Sequence, residues 1–358
     1  MNPFTYPFTF QEEDLSEVHV SLTLEKPLPF HYNSWGSGFY RQGSISIDGY
    51  QDLELVLYHS DATAAFLYLR SSEVDPQQLS IVGLDPDLFK NLETIPLPGQ
   101  LCLGSNRSRL IGKAMEDIFS APPIRNTIST IGQHNMAVFP IAREGLKYHV
   151  SEAIYDNYGY YCDEVVLDAH HVFDSSVPVY NRKVEMTLFK DKDLDQTQRG
   201  DITAAFLADS IASGLVMKEV IARVNERFEN IKQVEVISPL ATVRGLCRIA
   251  RSEATKKTKV RVHVFETLLN ALPPDFYYSA HFNIPEFHIV PELEQQYRDW
   301  WGLDAAGNHI ADTACAGYGW SEVFYSPRKQ IQMMNNQLRA RHQVSIAEII
   351  KRNALAGS

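Results

Sequence analysis

The stretch that decides the fold is ITAAFLADSIASGLVMKEVI, Ile202–Ile221. Ile202–Ala208 is short and apolar, bounded by Gly200 and Asp209, as a buried strand is. A small-residue turn, Ala212-Ser213-Gly214, follows it. Then comes a helix whose apolar face is Val216, Val220, Ile221, Val224 and Phe228. A strand that turns this sharply into a helix aims the free N–H groups of the first helical turn at one spot. The helix dipole adds partial positive charge there, so the spot suits a phosphate. Ser213 can donate a hydroxyl, and Asp209 stands where it can accept hydrogen bonds from sugar hydroxyls. The same residues also serve as a plain strand-to-helix turn capped by serine.

Working outward, strands alternate with helices. MAVFPI (Met136–Ile141), EVVLDA (Glu164–Ala169), VEMTLF (Val184–Phe189), VEVI (Val234–Ile237) and VRVHVF (Val260–Phe265) read as strands, with a further short strand over His288–Val290. Helices fall over Leu146–Ile154 and Ala241–Arg251. This order predicts an α/β fold: a mostly parallel sheet flanked by helices, with ligands at the carboxyl ends of the strands. Residues 1–98 form a β-rich N-terminal region, with strands expected at VHVSLTL, SISI, LELVLY and AAFLYL, and a hairpin or loop over Asn33–Gly43. The α/β domain takes 105–302, after a boundary at Thr94–Gly99. Residues 303–358 form a C-terminal extension, with an amphipathic helix over Leu338–Ala354.

The 358 residues are 44% hydrophobic and 22% charged, ordinary values for globular chains with a sizeable core. Thirty-three basic against 44 acidic residues give a net charge of −11, which argues against nucleic acid as the main ligand. Cys102, Cys162, Cys247 and Cys315 are too far apart for a zinc ribbon or a disulfide scaffold. The sequence MNPFTYPFTFQEEDL is not that of a signal peptide. No apolar run approaches the ~20 residues that cross a bilayer. The expectation is a soluble, cytoplasmic protein with no membrane partner.

Asp209-Ser-Ile-Ala-Ser-Gly214 resembles the loop with which type I phosphoribosyltransferases hold the 5′-phosphate and ribose of phosphoribosyl pyrophosphate. Phe139–Ile154, with Pro140, Arg143, Gly145 and Leu146, is similar to the pyrophosphate loop of the uracil phosphoribosyltransferase branch. Val234–Ala241 resembles the strand after the phosphate loop, and His288–Leu293 the turn that leads into the base-binding region.

The resemblance implies a site residue by residue. Asp209 binds ribose. Ser210, Ile211, Ala212, Ser213, Gly214 and Leu215 bind phosphate. Ala142, Arg143, Glu144 and Gly145 bind pyrophosphate, and Ile289, Val290, Pro291 and Glu292 bind the base. It also implies Mg²⁺ carried with the substrate phosphates, a homodimer, and transfer of a phosphoribosyl group to a nucleobase-like acceptor. The charged stretch Asp174–Gly200 falls where the family has its hood or flap.

The sequence departs from the family at two places. Ala208 stands where the family loop carries an acid, and the glycine-rich turn after Leu293 is replaced by Glu294–Trp301. The alternative that follows is a non-catalytic module that binds a nucleotide as a sensor. The sequence assigns no catalytic residue and no closed metal site of the protein's own.

Overall fold

A computed structural model describes residues 4–11, 17–32, 36–67, 104–142, 144–177, 182–189, 200–269 and 287–293. It also describes 295 and short pieces between 335 and 348. Twelve strands in the described residues form one sheet. They are β1 (Phe4–Gln11), β2 (Glu17–Leu24), β3 (Leu28–Tyr32), β4 (Gly36–Ile47), β5 (Leu53–His59), β6 (Met136–Ala142), β7 (Asp163–Glu164), β8 (Leu167–Phe173), β9 (Arg182–Phe189), β10 (Ala204–Ala208), β11 (Gln233–Ile237) and β12 (Lys259–Phe265). The spatial order is β1-β2-β4-β5-β12-β11-β10-β6-β8-β9, with β3 beside β4 and β7 beside β6. The centre, β5-β12-β11-β10-β6-β8, is parallel, and antiparallel strands extend it at both ends.

The parallel strands lack an alternating pattern because both faces are covered. All five residues of β10 are buried. On one face lie α1 (Asp61–Leu67), α2 (Gly104–Phe119), α3 (Pro122–Ile131) and α4 (Val150–Tyr158), packed on Tyr58, Phe206, Ile237 and Phe265. On the other lie α5 (Leu215–Arg227) and α6 (Val243–Ala250), packed on Phe139, Leu207, Val236 and Val262. The α/β class, the helix-flanked sheet and the strand-rich N-terminus all agree with the sequence reading. The N-terminal strands join this same sheet, because β5 pairs with β12 over Glu54–Tyr58 and Arg261–Phe265.

Two local expectations differ from what is found. AAFLYL was expected as a strand, but Asp61–Leu67 is the helix α1. Ser60 and Thr63 cap it reciprocally: Thr63 N–H donates to Ser60 Oγ at 3.1 Å, and Ser60 N–H to Thr63 Oγ1 at 2.6 Å. His288–Val290 is not a strand either. The Ile289 N–H goes to the carbonyl of Glu266 at 2.9 Å, and Pro291 opens a short helical turn, where its missing N–H costs nothing. Most of the helix expected over Leu338–Ala354 lies outside the described residues.

One row of charge crosses the buried sheet beneath α3. Glu235, Arg261 and Glu54 stand side by side in register on β11, β12 and β5. Arg261 reaches Glu54 at 2.7 Å and Glu235 at 3.4 Å, and His263 Nε2 lies 2.5 Å from Glu235. Tyr58 OH lies 2.7 Å from His263 Nδ1. Burial lowers the His263 pKa despite Glu235, which favours the neutral ring. Tyr58 then donates to Nδ1, and Nε2–H donates to the carboxylate. Every side-chain polar atom of this row of residues has a partner, which is the condition for burying it.

Candidate functional site

The connections of β6 and β10 leave in opposite directions. After β6 the chain passes through α4 on one face, and after β10 it passes through α5 on the other. Neighbouring parallel strands whose connections diverge leave a crevice at their carboxyl ends, where ligands of open α/β sheets bind. This crevice is bounded by the loop after Ala142 and by Asp209–Gly214. The two segments the sequence analysis read as pyrophosphate and phosphate loops therefore face each other across it.

Contacts tie the loops together. Ser210 Oγ lies 2.5 Å from Tyr148 OH and donates to Glu144 Oε2 at 3.4 Å, and Tyr148 OH donates to Glu144 at 3.5 Å. Ser210 and Tyr148 are buried, whereas Asp209 is half-buried. Gly145 rests on the end of β10 so closely that a Cβ there would lie 1.9 Å from the Ala208 carbonyl oxygen. Any side chain at 145 would push the two loops apart.

The 209–214 turn is anchored from behind. Asp209 and Ile211 donate their N–H groups to the carbonyls of Ile237 and Leu240, at 3.3 and 2.8 Å. Thr242, the N-cap of α6, donates its hydroxyl to the Ala212 carbonyl at 2.5 Å. The buried Arg248 donates to the Ser213 carbonyl. Gly214 takes φ 76° as the N-cap of α5, and a Cβ on it would meet the Gly245 oxygen at 2.4 Å. Its smallness thus lets α5 approach α6. Among the described residues, no backbone carbonyl accepts from the N–H groups of Ala212, Ser213 or Gly214, the donors at the positive end of α5.

The electrostatics of the crevice centre on two carboxylates. Burial pushes Asp209 well above the usual range, and the neighbouring charge of Glu144 adds to this, against the lowering effect of the Ser210 N–H. Two acids placed this way resist ionising together. A hard cation shared with ligand oxygens relieves that repulsion, and Mg²⁺ binds through one or two carboxylates plus phosphates. Asp209 and Glu144 fit such an ion. Among the described residues no three His, Cys, Asp or Glu side chains gather into a metal-binding group.

The remaining expected site residues are placed as follows. Ala142 ends β6 at the crevice, Leu215 opens α5, and Arg143 lies outside the described residues. Ile289, Val290, Pro291 and Glu292 are not in the crevice. They hang from Glu266 at the end of β12, two strands from β10. Tyr148 was missed by the sequence reading: a tyrosine after Gly-Leu-Lys carries no signal until the loop is seen folding back onto Ser210. No described helix is long and apolar enough to cross a membrane.

No family model matches the chain, and no curated protein matches it. Solved structures do show likeness. One is the adenine phosphoribosyltransferase of Trypanosoma brucei in complex with AMP, pyrophosphate and ribose-5-phosphate. It is 10% identical, covering 66% of this chain and 90% of that one, at a TM-score of 0.34. Another is a hypothetical protein from Neisseria gonorrhoeae with bound ppGpp, 9% identical, covering 55% and 94%, at a TM-score of 0.31. At these values neither likeness bears on what the crevice binds.

Proposed function

We propose that the crevice between β6 and β10 binds the phosphates and ribose of a phosphoribosyl ligand, phosphoribosyl pyrophosphate or a nucleotide, as a divergent phosphoribosyltransferase-like site. The observation that carries this reading is the meeting of the 142–145 and 209–214 loops where the connections of β6 and β10 diverge. The N–H groups of Ala212–Gly214 and the start of α5 receive the 5′-phosphate. Asp209 accepts from ribose hydroxyls. The loop after Ala142, with Arg143 and Gly145, holds the pyrophosphate, for which a guanidinium fork is well suited. Asp209 and Glu144 would hold Mg²⁺ together with the substrate, and the ion would supply charge neutralisation on the phosphates.

In transfer to a base, the C1–O bond breaks, pyrophosphate leaves with the electron pair, and a base nitrogen bonds to C1 and gives up its proton to water or to the departing pyrophosphate. This chain's residues would orient the ribose and stabilise charge on the leaving group. A specific observation favours the alternative of a nucleotide sensor without catalysis: Ala208 supplies no second acid beside Asp209. Incubation with phosphoribosyl pyrophosphate, Mg²⁺ and a panel of nucleobases separates the two. Pyrophosphate release with one base supports the enzyme, and ligand binding without release supports the sensor. Failure to bind either phosphoribosyl pyrophosphate or nucleotides overturns both.

A further inference from the structure

A second group of side chains stands on the same carboxyl edge, at the far end of the parallel strands. His59 closes β5, and Glu266 follows β12 directly. His59 Nδ1 lies 2.9 and 3.0 Å from the two carboxylate oxygens of Glu266, and Thr63 Oγ1 donates to one of them at 2.6 Å. The Glu266 side chain is fully buried, while that of His59 keeps 16% of its exposure. Phe39 stacks on the imidazole, with centroids 6.4 Å apart and planes 19° apart, and is itself 44% exposed.

The backbone shows that this arrangement is held against a cost. Glu266 has φ 60°, a left-handed conformation that costs a residue other than glycine about 1–3 kcal/mol. It is held there because its N–H donates to the Tyr58 carbonyl at 2.7 Å while its own carbonyl accepts from Ile289. The result points the carboxylate at His59 and hangs the 289–292 segment beside it. A carboxylate on Nδ1 fixes the proton there and leaves Nε2 as the working nitrogen: an acceptor when the ring is neutral, a donor when it is charged. Among the described residues nothing hydrogen-bonds to that Nε2. Burial opposes charge on His59, but Glu266, and more weakly Asp61, outweigh it and raise the pKa above its ordinary value.

We propose that His59, oriented by Glu266 and flanked by Phe39, hydrogen-bonds the planar nitrogen heterocycle of the ligand at the carboxyl end of β5. The ligand class rests on the phosphoribosyl reading of the β6–β10 crevice; the geometry of the pair does not. β5 and β10 are separated by β12 and β11, so their ends lie three ladder spacings apart, roughly 14 Å. A ligand with phosphate at one end and a ring at the other extends along that edge. The exposed face of Phe39 beside His59 gives the ring an aromatic surface to stack on. Glu266 is a positioning residue and does not itself meet the ligand.

The test is calorimetry on the full chain with ribose 5-phosphate, adenosine and uridine 5′-monophosphates, and the two nucleosides. His59→Gln and the surface variant Phe39→Ala are compared with the wild type after a thermal melt confirms folding. One nucleotide should bind at least about tenfold more tightly than ribose 5-phosphate. His59→Gln should lose about tenfold for that nucleotide and Phe39→Ala about threefold, with ribose 5-phosphate unchanged. If His59→Gln does not fold, Phe39→Ala decides. A second readout is the His59 imidazole titration followed by NMR. It should shift with the nucleotide and not with ribose 5-phosphate, which a purely structural histidine would not do. Nucleotides bound no more tightly than ribose 5-phosphate, or bound equally by the folded variants, overturn the proposal and leave the crevice standing. Nucleosides binding through His59 with ribose 5-phosphate unbound would instead overturn the crevice and support this pair. No binding of any probe overturns both.

Discussion

Glu266 and Asp209 are carboxylates on the same edge of one sheet, and their surroundings are opposite. Glu266 is buried, which raises its pKa, and His59 and Thr63 at hydrogen-bond distance work against that rise. Asp209 has a second acid, Glu144, as its electrostatic neighbour. A buried carboxylate beside a histidine is helped to hold its charge, whereas two acids side by side each make the other harder to ionise. On the proposals above, the β6–β10 crevice is where a ligand is needed and the His59–Glu266 pair is where its ring is held.

The largest effect that sharpens this contrast is expected from Glu266→Ala. It strips His59 and Thr63 of their partner and should cost about 3 kcal/mol in urea unfolding; a cost within error of zero would break the comparison at its structural end. Next comes Gly214→Ala, with a Cβ driven towards the Gly245 backbone at a positive φ. We expect a loss of about 2–3 kcal/mol, with α5 and α6 no longer closely packed.

A third carboxylate is buried with no hydrogen-bond partner on either oxygen among the described residues. Asp117 on α2 is fully buried, and burial pushes its pKa up to about 7. A carboxyl raised in the folded state adds stability that is complete below its ordinary pKa of about 4 and is lost as pH rises towards 7. Asp117→Asn should therefore nearly match the wild type at pH 4 and exceed it by a few kcal/mol at pH 7.5. Equal stabilities at both pH values would contradict that.

The smallest effect is the most telling in sign. Asp209→Asn removes a carboxyl whose charge burial and Glu144 both disfavour, so the ligand-free variant should be more stable than the wild type above the ordinary carboxylate range. The gain should vanish at lower pH, while binding of a phosphoribosyl ligand with Mg²⁺ weakens. A destabilised variant would mean that partners already hold the Asp209 charge in place.

Much of this was legible in the sequence because the signals are local. The apolar runs 136–141, 202–208, 234–237 and 260–265 became β6, β10, β11 and β12, and the face Val220, Ile221, Val224 became the buried side of α5. AAFLYL misled because its apolar run hid the Ser60–Thr63 cap upstream. The pairing of β5 with β12 joins residues about 200 positions apart, and nothing local in either strand encodes the other as neighbour. For the same reason His59 and Glu266 passed unnoticed, since each is an ordinary polar residue after a strand. Polar residues inside buried strands, Glu235, Arg261 and His263, were a readable signal for a cross-sheet network. At the crevice, Asp209, Ser213 and Gly145 stood out by type and spacing, whereas Tyr148 gains its place only from the fold of the loop.

The most direct test of the central claim is the heat of binding of phosphoribosyl pyrophosphate to the wild-type chain, with and without Mg²⁺. The account predicts saturable binding that Mg²⁺ tightens by about tenfold or more, as the ion joins Asp209 and Glu144 to the ligand phosphates. No binding in either condition, or binding indifferent to Mg²⁺, would contradict it.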